Sequence, residues 1–113
     1  MTMICFRLSE PFQAELRRRG DTIVVVASGE IDLACADELE AGLRAALNRS
    51  LRVVLDLRDV EFLDCAGLRR ILDFQQLVRE AGGEFALIPG PSQVQRLFDV
   101  TRVSGALCFI DRC

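Results

Sequence analysis

The stretch Val53-Val54-Leu55-Asp56-Leu57-Arg58-Asp59-Val60-Glu61-Phe62-Leu63-Asp64-Cys65-Ala66-Gly67-Leu68 decides the fold. Its aliphatic first part predicts a buried strand ending at Asp56 or Leu57. A short acidic crossing through Asp59 and Glu61 is expected next, then a sharp turn into a helix beginning at about Cys65. Asp64 stands where an N-cap belongs, because its carboxylate can accept the unpaired amide protons of the first helical turn. Gly67 lets another segment approach that turn closely. Function is expected at this corner.

Upstream of this stretch, Phe12, Ala14 and Leu16 alternate with polar residues, as in a strand with one wet face. Arg19-Gly20-Asp21 supplies a turn, and Thr22 to Ala27 is a β-branched run apolar on both faces, so a hairpin leading into a central strand is expected. Gly29-Glu30-Ile31-Asp32 closes that strand. From Ala36 the period becomes helical: Ala36, Leu39, Leu43, Ala46 and Leu47 share one face of a helix over about 33–48, with Asp32 as its cap and Asp37 and Glu38 at the positive end of its dipole. The decisive strand then spans 51–57. Downstream, a helix over about 65–81 buries Leu68, Ile71, Leu72, Leu77 and Val78, leaves Arg69, Arg70, Asp73, Gln76 and Arg79 in water, and ends at Gly82-Gly83. Glu84 to Ile88 reads as a third core strand stopped by Pro89-Gly90-Pro91. Ser92 can cap a short helix through Val94, Leu97 and Phe98, and Leu107 to Ile110 gives a last strand. Helices that separate strands imply right-handed crossovers. The expectation is therefore a single α/β domain: a mixed, mostly parallel sheet of about four to five strands with helices packed on it.

Composition sets the bounds. The 113 residues suffice for one core, with residues 1–11 an N-terminal extension and 12–113 the domain. A net charge of −3 gives no reason to bind nucleic acid, and the longest basic run is Arg17-Arg18-Arg19. No apolar run approaches the roughly 20 residues of a membrane helix, and the N-terminus lacks a signal pattern, so a cytoplasmic protein without membrane insertion is expected. The cysteines at 5, 35, 65, 108 and 113 form no C-x-x-C pair, as suits reduced thiols. Histidine is absent, which removes the usual base of a Ser or Cys nucleophile. No ligand set for a metal has recognisable spacing, and Gly82-Gly83 follows a helix instead of preceding one, unlike a phosphate loop. No cofactor, no metal and no enzymatic activity are expected.

Gly29-Glu30-Ile31-Asp32 after a buried strand, Asp64-Cys65-Ala66-Gly67-Leu68 at a helix start, Gly82-Gly83, and Val94 to Thr101 together resemble the STAS domain of bacterial anti-sigma factor antagonists, over about residues 12–111. The resemblance implies a non-enzymatic switch by partner exchange. In that family the antagonist binds an anti-sigma factor, a serine kinase of the GHKL ATPase type, and so frees a sigma factor. The kinase ends binding by phosphorylating the serine after the aspartate of a D-S-[ST]-G-L motif. A phosphate there adds about two negative charges and bulk to a surface that must close against the partner. Carried over by position, the docking surface comprises Glu30, Asp32, Asp64, Cys65, Ala66 and Gly67. A weak homodimer is a further partner allowed.

The chain departs from the motif where the switch operates. Cys65 occupies the phosphoacceptor position and Ala66 follows it, so neither carries a hydroxyl. Arg102-Val103 stands where the family commonly has Gly-Leu. Three readings of Cys65 stay open: a steric replacement for serine, a redox-sensitive thiol in which oxidation acts as phosphate would, or a sign that another complex is served. Cys35 is a second redox candidate if both helix starts flank one end of the sheet. The alternative function is a STAS subunit of a larger assembly, such as a stress-sensing scaffold or the cytoplasmic part of a lipid or anion transporter.

Overall fold

The computed structural model describes residues 11–110; of the expected N-terminal extension, all but Pro11 lies outside them. Strand β1 (Gln13–Arg19) turns at Gly20, which has φ 65, and pairs antiparallel with β2 (Thr22–Ile31). A 3-10 turn (Leu33–Cys35) leads into α1 (Ala36–Leu47), which returns the chain to β3 (Arg52–Leu63). Helix α2 (Cys65–Glu80), β4 (Glu84–Ile88) and α3 (Ser92–Val100) follow. The four strands lie in the order β1-β2-β3-β4, with β2, β3 and β4 parallel.

Alternation decides where the core sits. Ile23, Val25 and Ala27 of β2 and Val53, Leu55 and Leu57 of β3 are buried in one cluster with Leu39 and Leu43 of α1 and Ile71, Phe74 and Val78 of α2. Each Val, Leu, Ile or Phe side chain among them contributes about 1.5–3 kcal/mol on burial. Their neighbours in sequence, Val24 and Val54, face the other side with Ile88 in a smaller cluster. The expected helical faces are correct in outline, but Leu47, Leu72 and Leu77 are half-buried and Phe74 takes a core place, its ring edge-on to Phe85 at 4.9 Å. Arg70, expected in water, is half-buried and ties α2 to α1 through Asp37 (2.7 Å) and Glu40.

The acidic crossing expected after Leu57 does not exist. Strand β3 runs on to Leu63, and β2 runs past Ala27 to Ile31. The register Thr22↔Arg52 at one end and Ile31↔Leu63 at the other requires β3 to spend 12 residues where β2 spends 10. Register shifts between Val26 and Ser28 and between Gly29 and Glu30 absorb the difference as bulges. Each bulge turns its residues out, so Arg58-Asp59 and Glu61-Phe62 are exposed while Val60 and Leu63 stay buried. Asp56, expected at a strand end or turn, lies within the strand, 5% exposed, with both carboxylate oxygens held by Arg58. Burial pushes its carboxyl up, but the hydrogen bonds and charge of Arg58 outweigh that and hold it below the usual range.

The remaining boundaries have local causes. Gly82, at φ 79, ends α2 in a left-handed cap in which Gly83 N–H donates to Val78 C=O at 2.9 Å. Arg102 does the same for α3 at φ 61, with Val103 N–H donating to Phe98 C=O at 3.2 Å. A Gly-Leu pair there would serve the same cap without the cost of a side chain in that conformation, about 1–2 kcal/mol. Pro91, not Ser92, occupies the cap position of α3, and Ser92 is its first helical residue. The last expected strand, Leu107 to Ile110, is a single parallel bridge of Phe109 to Leu87.

Candidate functional site

The C-terminal ends of β2 and β3 lie side by side, and each passes directly into a helical turn. Asp64 joins the two. Its Oδ1 accepts from Gly67 N–H at 3.0 Å, which caps α2, and its Oδ2 accepts from Leu33 N–H at 3.1 Å, in the other segment. Its own N–H donates to Ile31 C=O at 3.1 Å. One aspartate thus closes a helix and bolts it to the turn beyond β2.

The turn at 32–35 carries its own cap. Asp32 Oδ1 accepts from Ala34 N–H at 3.0 Å, and Asp32 N–H donates to Cys35 Sγ at 3.3 Å. The expected helix over 33–48 therefore starts as a 3-10 turn that Asp32 caps, and α1 proper begins at Ala36. Cys35 is 8% exposed, and its thiol donates to Glu30 C=O at 3.2 Å. Burial pushes this thiol up; the Asp32 amide pulls it down, and the Asp32 carboxylate adds to the rise. Such surroundings keep Cys35 protonated, the reverse of what a reactive thiolate needs.

Gly67 is buried against the sheet. A β-carbon there would lie 2.6 Å from Leu63 Cδ1 and 2.7 Å from Ile31 Cγ2. Only glycine lets α2 sit this close to both strand ends. Cys65, by contrast, is exposed as the first residue of α2, with Ala66 half-buried beside it. Glu30, half-buried, is the register partner of Phe62.

All six residues expected at a docking surface thus fall on the two segments that Asp64 joins. Two exposed apolar residues stand there: Leu33, 76% exposed, inside the segment 29–35 expected to dock but not singled out, and Phe62, 48% exposed, which the sequence reading did not place at the surface. Each follows an acidic residue, Leu33 in the turn before α1 and Phe62 beside a bulge in β3, and an apolar residue off the buried period is the signal that could have found them. The corner offers exposed apolar and acidic groups, and among the described residues no group of three His, Cys, Asp or Glu could hold a metal ion. Among the described residues, too, no helix is long and apolar enough to cross a membrane. Such a surface is suited to gripping another protein.

Comparison with known proteins agrees with this architecture. The STAS domain family matches residues 13–110. The anti-sigma F factor antagonist of Paenibacillus polymyxa is 31% identical over 91 residues, covering 79% of this chain and 78% of that protein. The crystal structure of an anti-sigma factor antagonist from Mycobacterium paratuberculosis superposes with a TM-score of 0.82 at 25% identity, over 93% of this chain and 92% of the other. The anti-sigma factor antagonist SpoIIAA in its unphosphorylated form superposes with a TM-score of 0.71 over 88% of each chain. At 19% identity the last shows the fold alone.

Proposed function

This chain belongs to the STAS domain family, and on that basis we propose that it is an anti-sigma factor antagonist, a binding protein and not an enzyme. It docks in the cytoplasm on an anti-sigma factor of the GHKL ATPase type and so frees a sigma factor. Glu30, Asp32, Asp64, Cys65, Ala66 and Gly67 form the contact surface or hold it in shape. The observation that carries the reading is the Asp64 clamp, which presents the two segments as one surface with Cys65 exposed on it.

Cys65 replaces the serine that a partner kinase would phosphorylate. Neither Cys65 nor Ala66 carries a hydroxyl, so ATP gives the kinase no acceptor at the position it would phosphorylate. Binding is therefore insensitive to the ATP-driven release that a phosphoserine would cause.

The test is a binding assay with a purified cognate GHKL-type anti-sigma factor, in ADP and in ATP. The wild-type chain is expected to bind in both without taking up radiolabelled phosphate, whereas Cys65→Ser takes up phosphate with ATP and then dissociates. Absence of any complex would refute the function. A complex with Cys65→Ser that takes up no phosphate would refute the assignment of position 65.

A further inference from the structure

We propose that Leu33 and Phe62 are the apolar anchors of the docking surface, and that the surface they enter on the anti-sigma factor is an apolar socket rimmed by arginine or lysine side chains. The inference rests on the reading of the chain as an antagonist and specifies its partner's chemistry.

The large exposed apolar side chains of the described residues are Leu33, Leu51, Phe62 and Val100. Leu51 precedes β3 at the opposite end of the sheet, and Val100 ends α3. Leu33 and Phe62 alone belong to the corner that Asp64 ties together. An apolar side chain left in water at a prepared surface is the kind of group that dominates binding once a partner desolvates it.

Both positions are also held in place before any partner arrives. The Leu33 amide is fixed by Asp64 Oδ2, and Phe62 stands in a paired strand immediately after a bulge, opposite Glu30. Little backbone freedom is then lost on docking.

The surroundings are acidic. Segments 29–35 and 59–67 contain Glu30, Asp32, Asp59, Glu61 and Asp64 and no Lys or Arg, while Arg58 at their edge has its guanidinium on the buried Asp56. Asp32 and Asp64 accept from neutral backbone amides and form no ion pair among the described residues, and Asp59 and Glu61 are exposed on the bulged strand. A partner of like charge would be repelled; one with basic groups around its socket would be drawn in.

Stopped-flow and calorimetric binding to the purified cognate GHKL-type anti-sigma factor with ADP separates the two parts. Leu33→Ser and Phe62→Ser are each expected to weaken the complex about tenfold or more, through faster dissociation. Leu33, being 76% exposed, can be replaced without disturbing the fold, which a thermal melt verifies. Raising the salt from about 0.05 M to 0.5 M, or Glu61→Lys, is expected to slow association several-fold with little change in dissociation. A wild-type complex that Leu33→Ser leaves equally tight overturns the anchors while the antagonist reading stands. So does a loss confined to self-association, which would assign the surface to a second copy of the chain. Association indifferent to salt overturns the basic rim. No wild-type complex at all overturns the anchors and the antagonist reading together.

Discussion

Two helical segments start at the same end of the sheet, each with an aspartate and a cysteine, and the two pairs are put to opposite uses. In the turn after β2, Cys35 lies three residues beyond its cap, reaches back to the Asp32 amide, and is buried. At the start of α2, Cys65 comes directly after its cap and is exposed. Position relative to the cap accounts for the contrast: a side chain at the third helical position turns back toward the cap, whereas one at the first points away from the helix body. The same residue types thus make a closed structural knot at one corner and an open, displayable site at the other.

The widest difference between the corners is expected at the third position of each helix. In α2 this is Gly67, whose β-carbon would meet Leu63 and Ile31 at under 3 Å; in α1 it is exposed Glu38. Gly67→Val should destabilise the domain by about 2–3 kcal/mol, because the helix must lift off the strand ends or the core must shift. Glu38→Ala should change it by less than about 0.5 kcal/mol. Urea unfolding of both variants checks this, and equal stabilities would mean that α2 is not seated as tightly as the geometry requires.

The caps come next in size. Asp64 closes a helix of 16 residues and also holds Leu33, while Asp32 closes a turn of 3. Asp64→Ala should therefore cost about 1–2 kcal/mol and Asp32→Ala about 0.5–1 kcal/mol. Amide exchange separates the two roles. Protection of the Leu33 amide should fall in Asp64→Ala and persist in Asp32→Ala, with the Ala34 amide behaving in the opposite way. If both variants release both amides, the corners melt as one unit and the distinction between them fails.

The contrast also explains what could be read before the structure. Helices and strands came out in the right order because their periods are set by burial on a single face, and Asp32 and Asp64 announced themselves because capping is local chemistry. The end of β3 did not, since its bulges leave two exposed residues for each buried one from Arg58 to Leu63, a period of three that resembles a loop. The final strand failed because one bridge to Leu87 is all that Phe109 forms. Leu33 and Phe62 were not singled out because each is one apolar residue off the repeating face that marks a helix or strand, and nothing local tells such a residue from loop filler. The bond from Leu33 to Asp64 spans 31 residues of sequence, and no local pattern encodes it.

The smallest effect concerns the two thiols. Burial raises the Cys35 thiol above the ordinary value of about 8.5, with the Asp32 carboxylate adding to it against the Asp32 amide. A group whose pKa is higher folded than unfolded contributes stability that is complete below the unfolded value and is lost as pH rises through the folded one. Wild-type stability should accordingly fall as pH rises beyond the ordinary thiol range, and Cys35→Ala should flatten that slope while Cys65→Ala leaves it alone. Iodoacetamide at neutral pH gives the matching chemical readout: Cys65 and exposed Cys108 should be labelled in the native protein, and Cys35 only at the rate of unfolding. Labelling of Cys35 as fast as Cys65 would show that the knot beyond β2 opens freely. The segment beyond β2 would then be mobile, and the fixed position argued for Leu33 would lose its support while that of Phe62, set by its pairing in β3, would stand.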